Sequence, residues 1–284
     1  MNNRKMSGGR PARRRKINWG LIAAIVIFCG LITWGILGLA AQSSKKKEIA
    51  VTGRDHIPNL EIPEVVDGSQ WPVKSYEGFT LAFDERRHTP VWVGWELLAE
   101  ETDGPETRYN TFWQDEDVYG CATWADYRNS GYDRGHLCPS ADQKWSSDAM
   151  RDCFVMANMA PQDHALNAGA WATLEKKERV WAQRDSAIVI VAGPLYSPSD
   201  SQRIGTTGVL VPGAFYKVLL APYIDTPRAI GFIYPNGKAP GNMQDYAVTV
   251  DKVEELTGLD FFSALPDDIE QRVESSFSFN DWNR

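Results

Sequence analysis

The chain has 284 residues, of which 43% are hydrophobic and 24% charged. That balance buries a substantial core and excludes a disordered polyelectrolyte. Residues 1–47 carry ten basic residues and no acidic one, which leaves 20 basic and 37 acidic residues for 48–284, a net charge of −17. So acidic a body excludes a protein that holds nucleic acid through bulk positive charge. Any polyanion it binds must meet a local basic groove or a bound cation.

No charged residue occurs from Ile17 to Ala41, and the apolar run is long enough to cross a bilayer as a helix. Seven positive charges precede it and three follow, which keeps the N-terminus cytoplasmic and sends the body across the membrane. The competing reading is a cleaved signal peptide ending near Leu39-Ala40-Ala41, which would release the body as a secreted protein. The segments expected are a basic tail (1–16), a transmembrane anchor (17–41), an extended linker with scattered Gly and Pro (42–75) and a folded domain (76–284).

In the domain, Thr80–Phe83 and Pro90–Leu97 are rich in β-branched and aromatic residues and predict a hairpin closed through Asp84–Thr89. Ala149–Met159 predicts a short helix followed by extended chain. The clearest helix is Leu166–Arg184: Leu166, Ala170, Trp171, Leu174 and Trp181 share one face, with Lys176, Lys177, Glu178 and Arg179 largely on the other. Strands resume at Ala187–Ala192, Gly208–Val211, Phe215–Ala221 and Ala229–Tyr234. Val248–Leu256 begins as strand and becomes a helix that stops at Gly258. Strands and helices do not alternate, so the fold class is α+β with a mostly antiparallel central sheet.

Chemistry concentrates at Asp133-Arg134-Gly135-His136. These four residues combine a carboxylate, a guanidinium suited to phosphate, a glycine able to turn tightly and an imidazole that titrates near neutrality. The pattern points to chemistry at a phosphate, the alternative being a polar loop with a surface Asp-Arg pair. His136, Cys138, Cys153 and His164 admit a zinc reading, although the paired Cys-x-x-Cys spacing is absent. Cys121, Cys138 and Cys153 leave room for one disulfide and one free thiol, with the pairing open.

Two further segments follow in order, Asn158-Met159-Ala160-Pro161-Gln162 and Leu166-Asn167-Ala168-Gly169-Ala170-Trp171-Ala172-Thr173-Leu174-Glu175-Lys176-Lys177-Glu178-Arg179. Together with the Asp133–His136 motif they resemble the DNA/RNA non-specific endonucleases, the endonuclease G-like enzymes with a ββα-metal finger, over about Val91 to Phe262. The resemblance implies a metal-dependent, sequence-non-specific endonuclease that hydrolyses phosphodiesters of DNA and RNA. His136 is then the general base, a role its chemistry supports independently. Asn167 is the Mg²⁺ ligand, with Mn²⁺ a possible substitute; helix capping is its alternative role. Glu175 holds a metal-bound water, or else only pairs with Arg179 one turn on.

Arg179 matches a family arginine near the phosphate. Arg134, beside the base, is the stronger candidate for stabilising transition-state charge. Asn158 is expected to orient His136, and Asp133 to fix the loop. Many members have a basic residue where this chain has Trp113, and Arg108 is a nearby source of that charge. The remaining readings are a catalytically silent nucleic-acid-binding or envelope-assembly module of the same fold, and a phosphodiesterase on a smaller substrate. Oligomeric state is open, a homodimer included.

Overall fold

The computed structural model describes residues 56–66 and 68–283. In chain order the strands are β1 (Glu64–Val65), β2 (Val73–Tyr76), β3 (Phe79–Asp84), β4 (Thr89–Leu98), β5 (Asp133–His136), β6 (Met159–Gln162) and β7 (Ala187–Leu195). They continue as β8 (Arg203–Ile204), β9 (Val209–Leu210), β10 (Ala214–Ala221), β11 (Arg228–Pro235), β12 (Ala247–Val248) and β13 (Leu259–Asp260). One seven-stranded sheet, ordered β12-β11-β10-β7-β4-β3-β2, carries the fold. Every neighbouring pair in it is antiparallel. The expected α+β class, the β3–β4 hairpin and the strand-to-helix switch after Ala247–Val248 are all present.

The central strands are buried on both faces, which is why they read as unbroken apolar runs. Ile188 and Ile190 point into one core with Phe215, Leu219, Trp95, Trp171 and Leu174. Val189 and Val191 point into the other with Tyr216, Val218, Trp92, Val250 and Val253. This is the two-residue period of a strand, with a layer of helix and loop on each side. The first core supports the β5–β6 pair and the long helix Ala172–Asp185; the second supports helices Val250–Thr257 and Asp267–Glu274.

Three expectations need correction. The stretch read as extended linker is already folded well before residue 76. Leu60 is buried, β1 pairs with β13, and β2 forms the sheet edge, because these few apolar side chains have a ready surface to cover. The helix expected from Leu166 is not uniform: Leu166–Trp171 is a π-helical segment in which Gly169 leaves helical geometry (φ −106°, ψ −107°), and regular α-helix runs over Ala172–Asp185. Glu178, assigned to the polar face, is fully buried. The expected anchor at 17–41 lies outside the described residues, and no helix among those described is long and apolar enough to cross a membrane.

Candidate active site

β5 and β6 pair with Asp133 opposite Gln162 and His136 opposite Met159, and the chain then enters the π-helical segment and the long helix. That is a ββα unit. The motif expected as a tight turn is therefore extended strand, and Gly135 is explained by close approach: a Cβ there would lie 2.6 Å from Gln162 Cβ.

His136 ends β5 at 9% exposure, in a three-ring cluster with Phe154 (centroids 4.9 Å away) and Phe112 (5.6 Å), which also contact each other at 5.1 Å. Its Nε2 is buried with no hydrogen-bond partner among the described residues. Burial, reinforced by the charges of Arg108 and Arg134, pushes its pKa down to about 3. The imidazole is thus held neutral, with a nitrogen that nothing among the described residues satisfies. The guanidinium of Arg134 lies 4.4 Å from the Phe112 centroid and that of Arg108 5.0 Å from the Phe154 centroid, so each arginine packs on one of the rings that contact the histidine.

Asn167 sits one residue into the π-helical segment and does not cap it. Asp163 takes the cap role instead, its Oδ1 accepting from Ala165 N at 2.8 Å. The Asn167 amide turns toward β5, where Nδ2 donates to Asp133 Oδ2 at 2.9 Å. Only the nitrogen can donate to a carboxylate, so the contact fixes which way the amide faces and leaves Oδ1 free as an acceptor. The same Asp133 oxygen lies 2.8 Å from His164 Nδ1. A π-turn interrupts the regular i to i−4 ladder, and such segments recur at functional sites. Here it lets Asn167 face β5 while Leu166 and Trp171 enter the core.

A cleft of about 570 Å³ opens over this unit, lined among others by Arg108, Arg128, Arg134, Phe112, Asp133 and Asn167. Three arginines against one aspartate make it the basic groove that an acidic body requires. Arg108 lines this cleft, whereas the indole of Trp113 donates to Arg151 O at 3.0 Å.

The other expected site residues lie behind the cleft. Asn158 is fully buried: Oδ1 accepts from Cys138 N at 2.9 Å, and Nδ2 donates to Cys138 O and Cys153 O. It thus fixes the backbone that follows His136, and no hydrogen bond joins it to the imidazole. Arg179 donates to the buried Asp142 at 2.7 Å, and like His136 and Glu175 it is not among the residues that line the cleft. Glu175 is partly buried on the long helix, and desolvation raises its carboxyl to about 7 against the pull of Lys217. Lys217 reaches out of β10 to both oxygens of Glu178, at 2.9 and 3.1 Å, with its ammonium 4.6 Å from the Trp171 centroid. Cys121, Cys138 and Cys153 are buried free thiols, and no zinc-type His/Cys cluster occurs among the described residues.

Residues 61–268 match the family described as DNA/RNA non-specific endonuclease. The chain belongs to that family. Human mitochondrial endonuclease G is 33% identical over 204 residues, covering 66% of this chain and 69% of that protein. Nuclease C1 of Cunninghamella echinulata is 35% identical over 208 residues (66% and 82%), and human mitochondrial nuclease EXOG is 30% identical over 285 (92% and 76%). The crystal structure of the EndoG/EndoGI complex, which concerns the mechanism of EndoG inhibition, superposes with a TM-score of 0.66 at 30% identity, covering 70% of this chain and 88% of that one. As a member of the non-specific endonucleases, the protein is a hydrolase acting on nucleic acids.

Of the residues the sequence pointed to, Asp133, Arg134 and Asn167 line the cleft, and His136 lies buried at the end of the same strand as the first two. The sequence did not mark Arg128 or Phe112, whose signal lies only in their approach to the cleft from separate loops.

Proposed function

We propose that this endonuclease cleaves phosphodiesters with His136 as general base, Arg134 and Arg108 as phosphate ligands, and Mg²⁺ held through Asn167. The observation that carries this reading is a pair of unsatisfied polar atoms: a buried imidazole Nε2 without a partner among the described residues, and an amide oxygen left free because Asp133 holds the amide nitrogen. A single amide oxygen suits a hard, largely hydrated cation. When bound, such a cation stabilises charge on the phosphate and leaving oxygen.

The two arginines that depress His136 are the ones a phosphodiester would engage. Burial is the larger cause of the low His136 pKa, and seating the phosphate offsets the part contributed by the two arginine charges, which raises the basicity of the imidazole once substrate is present. Nε2 then takes the proton of the attacking water, which adds to phosphorus opposite the leaving oxygen. Contacts to phosphate carry no sequence information, which agrees with non-specific cleavage. The charge asymmetry around residues 17–41 supports a single-pass anchor with the nuclease on the extracytoplasmic side. The test of the activity is cleavage of supercoiled plasmid and of RNA by the full-length chain in detergent, with Mg²⁺ and with chelator. Degradation of both polymers with Mg²⁺ only is expected; inactivity on both, or undiminished activity in chelator, contradicts the proposal.

A further inference from the structure

On the face of the sheet opposite the cleft, helix Val250–Thr257, strand β13 and helix Asp267–Glu274 bring five carboxylates together. Oxygens of Asp251, Glu254 and Glu274 all lie within 4.8 Å of one another, and so do those of Asp260, Glu270 and Glu274. Glu274 belongs to both sets. It is only 6% exposed, and its Oε1 is buried with no hydrogen-bond partner among the described residues.

Among the described residues none of the five carboxylates forms a salt bridge, and the nearby Lys252 ammonium is engaged by Glu255 at 2.6 Å. Glu64 and Asp267 add further negative charge beside Asp260 and Glu270. One Glu254 oxygen accepts from Phe261 N at 2.9 Å, which fixes that carboxylate in place. A buried carboxylate among like charges must either take up a proton or meet a cation. Burial, together with Glu254, Glu270, Asp260 and Asp251, raises the Glu274 carboxyl to about 9.

The donor set selects among cations. It is all carboxylate oxygen, without the nitrogen or sulfur that zinc prefers. Ca²⁺ takes six to eight oxygens at about 2.3–2.6 Å in flexible geometry, so two of its ligands stand up to about 5 Å apart, whereas Mg²⁺ demands a tighter octahedron and keeps its waters. Three to five carboxylates gathered by one chain suit the larger ion, since Mg²⁺ is usually held by only one or two and keeps its waters. We propose that Glu274, with Asp251 and Glu254 on one side and Asp260 and Glu270 on the other, forms a Ca²⁺ site that clamps the two C-terminal helices to β13, separate from the catalytic centre.

The test uses the full-length chain in detergent, stripped with chelator and returned to saturating Mg²⁺. Ca²⁺ binding by calorimetry and the unfolding midpoint are followed together. One Ca²⁺ per chain is expected, with a rise in midpoint of about 5–10 °C at a hundredfold excess over Kd. Glu274→Gln and Asp251→Asn should each weaken Ca²⁺ binding at least tenfold, while Asn167→Ala leaves it intact. Without Ca²⁺, Glu274→Gln should unfold at a higher temperature than the parent, because a glutamine, unlike the buried carboxylate, occupies this place without taking up a proton. Absence of Ca²⁺ binding, binding unchanged in both acidic-site variants, or binding lost in Asn167→Ala but kept in Glu274→Gln overturns the proposal. Should Glu274→Gln fail to fold, the exposed Asp251→Asn carries the comparison.

Discussion

Lys217→Met tests whether the core charges beneath the cleft set the pH range of catalysis. His136 is neutral across the working range, since its pKa is held near 3, so the acid limb of the rate profile falls to Glu175, at about 7. Below that pH the Glu175 carboxyl is protonated and no longer holds a water or offsets a cation, and activity falls. Lys217 is the largest influence keeping that pKa from rising further. It binds Glu178, three residues along the helix from Glu175, a spacing that puts the two Cβ atoms about 5–6 Å apart. A unit charge about 6 Å away at an effective dielectric of about 20 contributes roughly 3 kcal/mol, or about two pKa units. Removing the ammonium also leaves Glu178 to protonate, which cancels part of the effect, so the limb should move from about 7 up by roughly one unit.

The single variant also strands a buried carboxylate and should lose about 3–5 kcal/mol in urea unfolding, most of it recovered in Lys217→Met/Glu178→Gln. The profile of kcat/KM is therefore measured in the double variant, where both charges are gone. An acid limb that stays at 7 in that variant, or that survives Glu175→Gln, refutes the reasoning. Stability carries its own sign. Folding raises the Glu175 pKa above its ordinary 4.5, so its stabilising contribution is complete below about 4.5 and is lost as pH rises through about 7.

Asp133→Ala frees the Asn167 amide and should raise the Mg²⁺ concentration for half-maximal activity about 10–100-fold, as loss of an orienting partner does at other metal sites; an unchanged Mg²⁺ dependence contradicts the assigned orientation. Arg108→Ala should raise KM and flatten the fall of kcat/KM with salt, because it removes one phosphate contact; an unchanged salt slope places Arg108 outside the substrate path. Protease added to intact spheroplasts of an expression host should degrade the nuclease domain, whereas protection until lysis contradicts the extracytoplasmic orientation.

Much of the fold was legible because the central strands are buried on both sides and show as apolar runs, and because Gly258 ends its helix in the left-handed region at φ 69°. The motif residues were legible because base, guanidinium and amide cluster within two short segments. What escaped depended on distant partners. Glu178 looked solvated beside two lysines until Lys217, from a strand 39 residues away, met it in the core. The partner of Arg179, the buried Asp142, likewise lies 37 residues away in sequence and left no local sign. The π-turn at Leu166–Trp171 has no periodic signature, since its apolar positions still fit a regular helix. The net charge of −17 argued against a polyanion substrate because composition averages over a surface, whereas Arg108, Arg128 and Arg134 act in one cleft.

The central claim is that His136 is the proton acceptor, and the most direct measurement is single-turnover plasmid cleavage by His136→Ala. The variant should fold, as judged by its unfolding midpoint and by retained Mg²⁺-dependent DNA binding, and should cleave about 10²–10⁴-fold more slowly. Cleavage within a few-fold of the parent rate, in a folded variant that still binds DNA, would assign the base to another group.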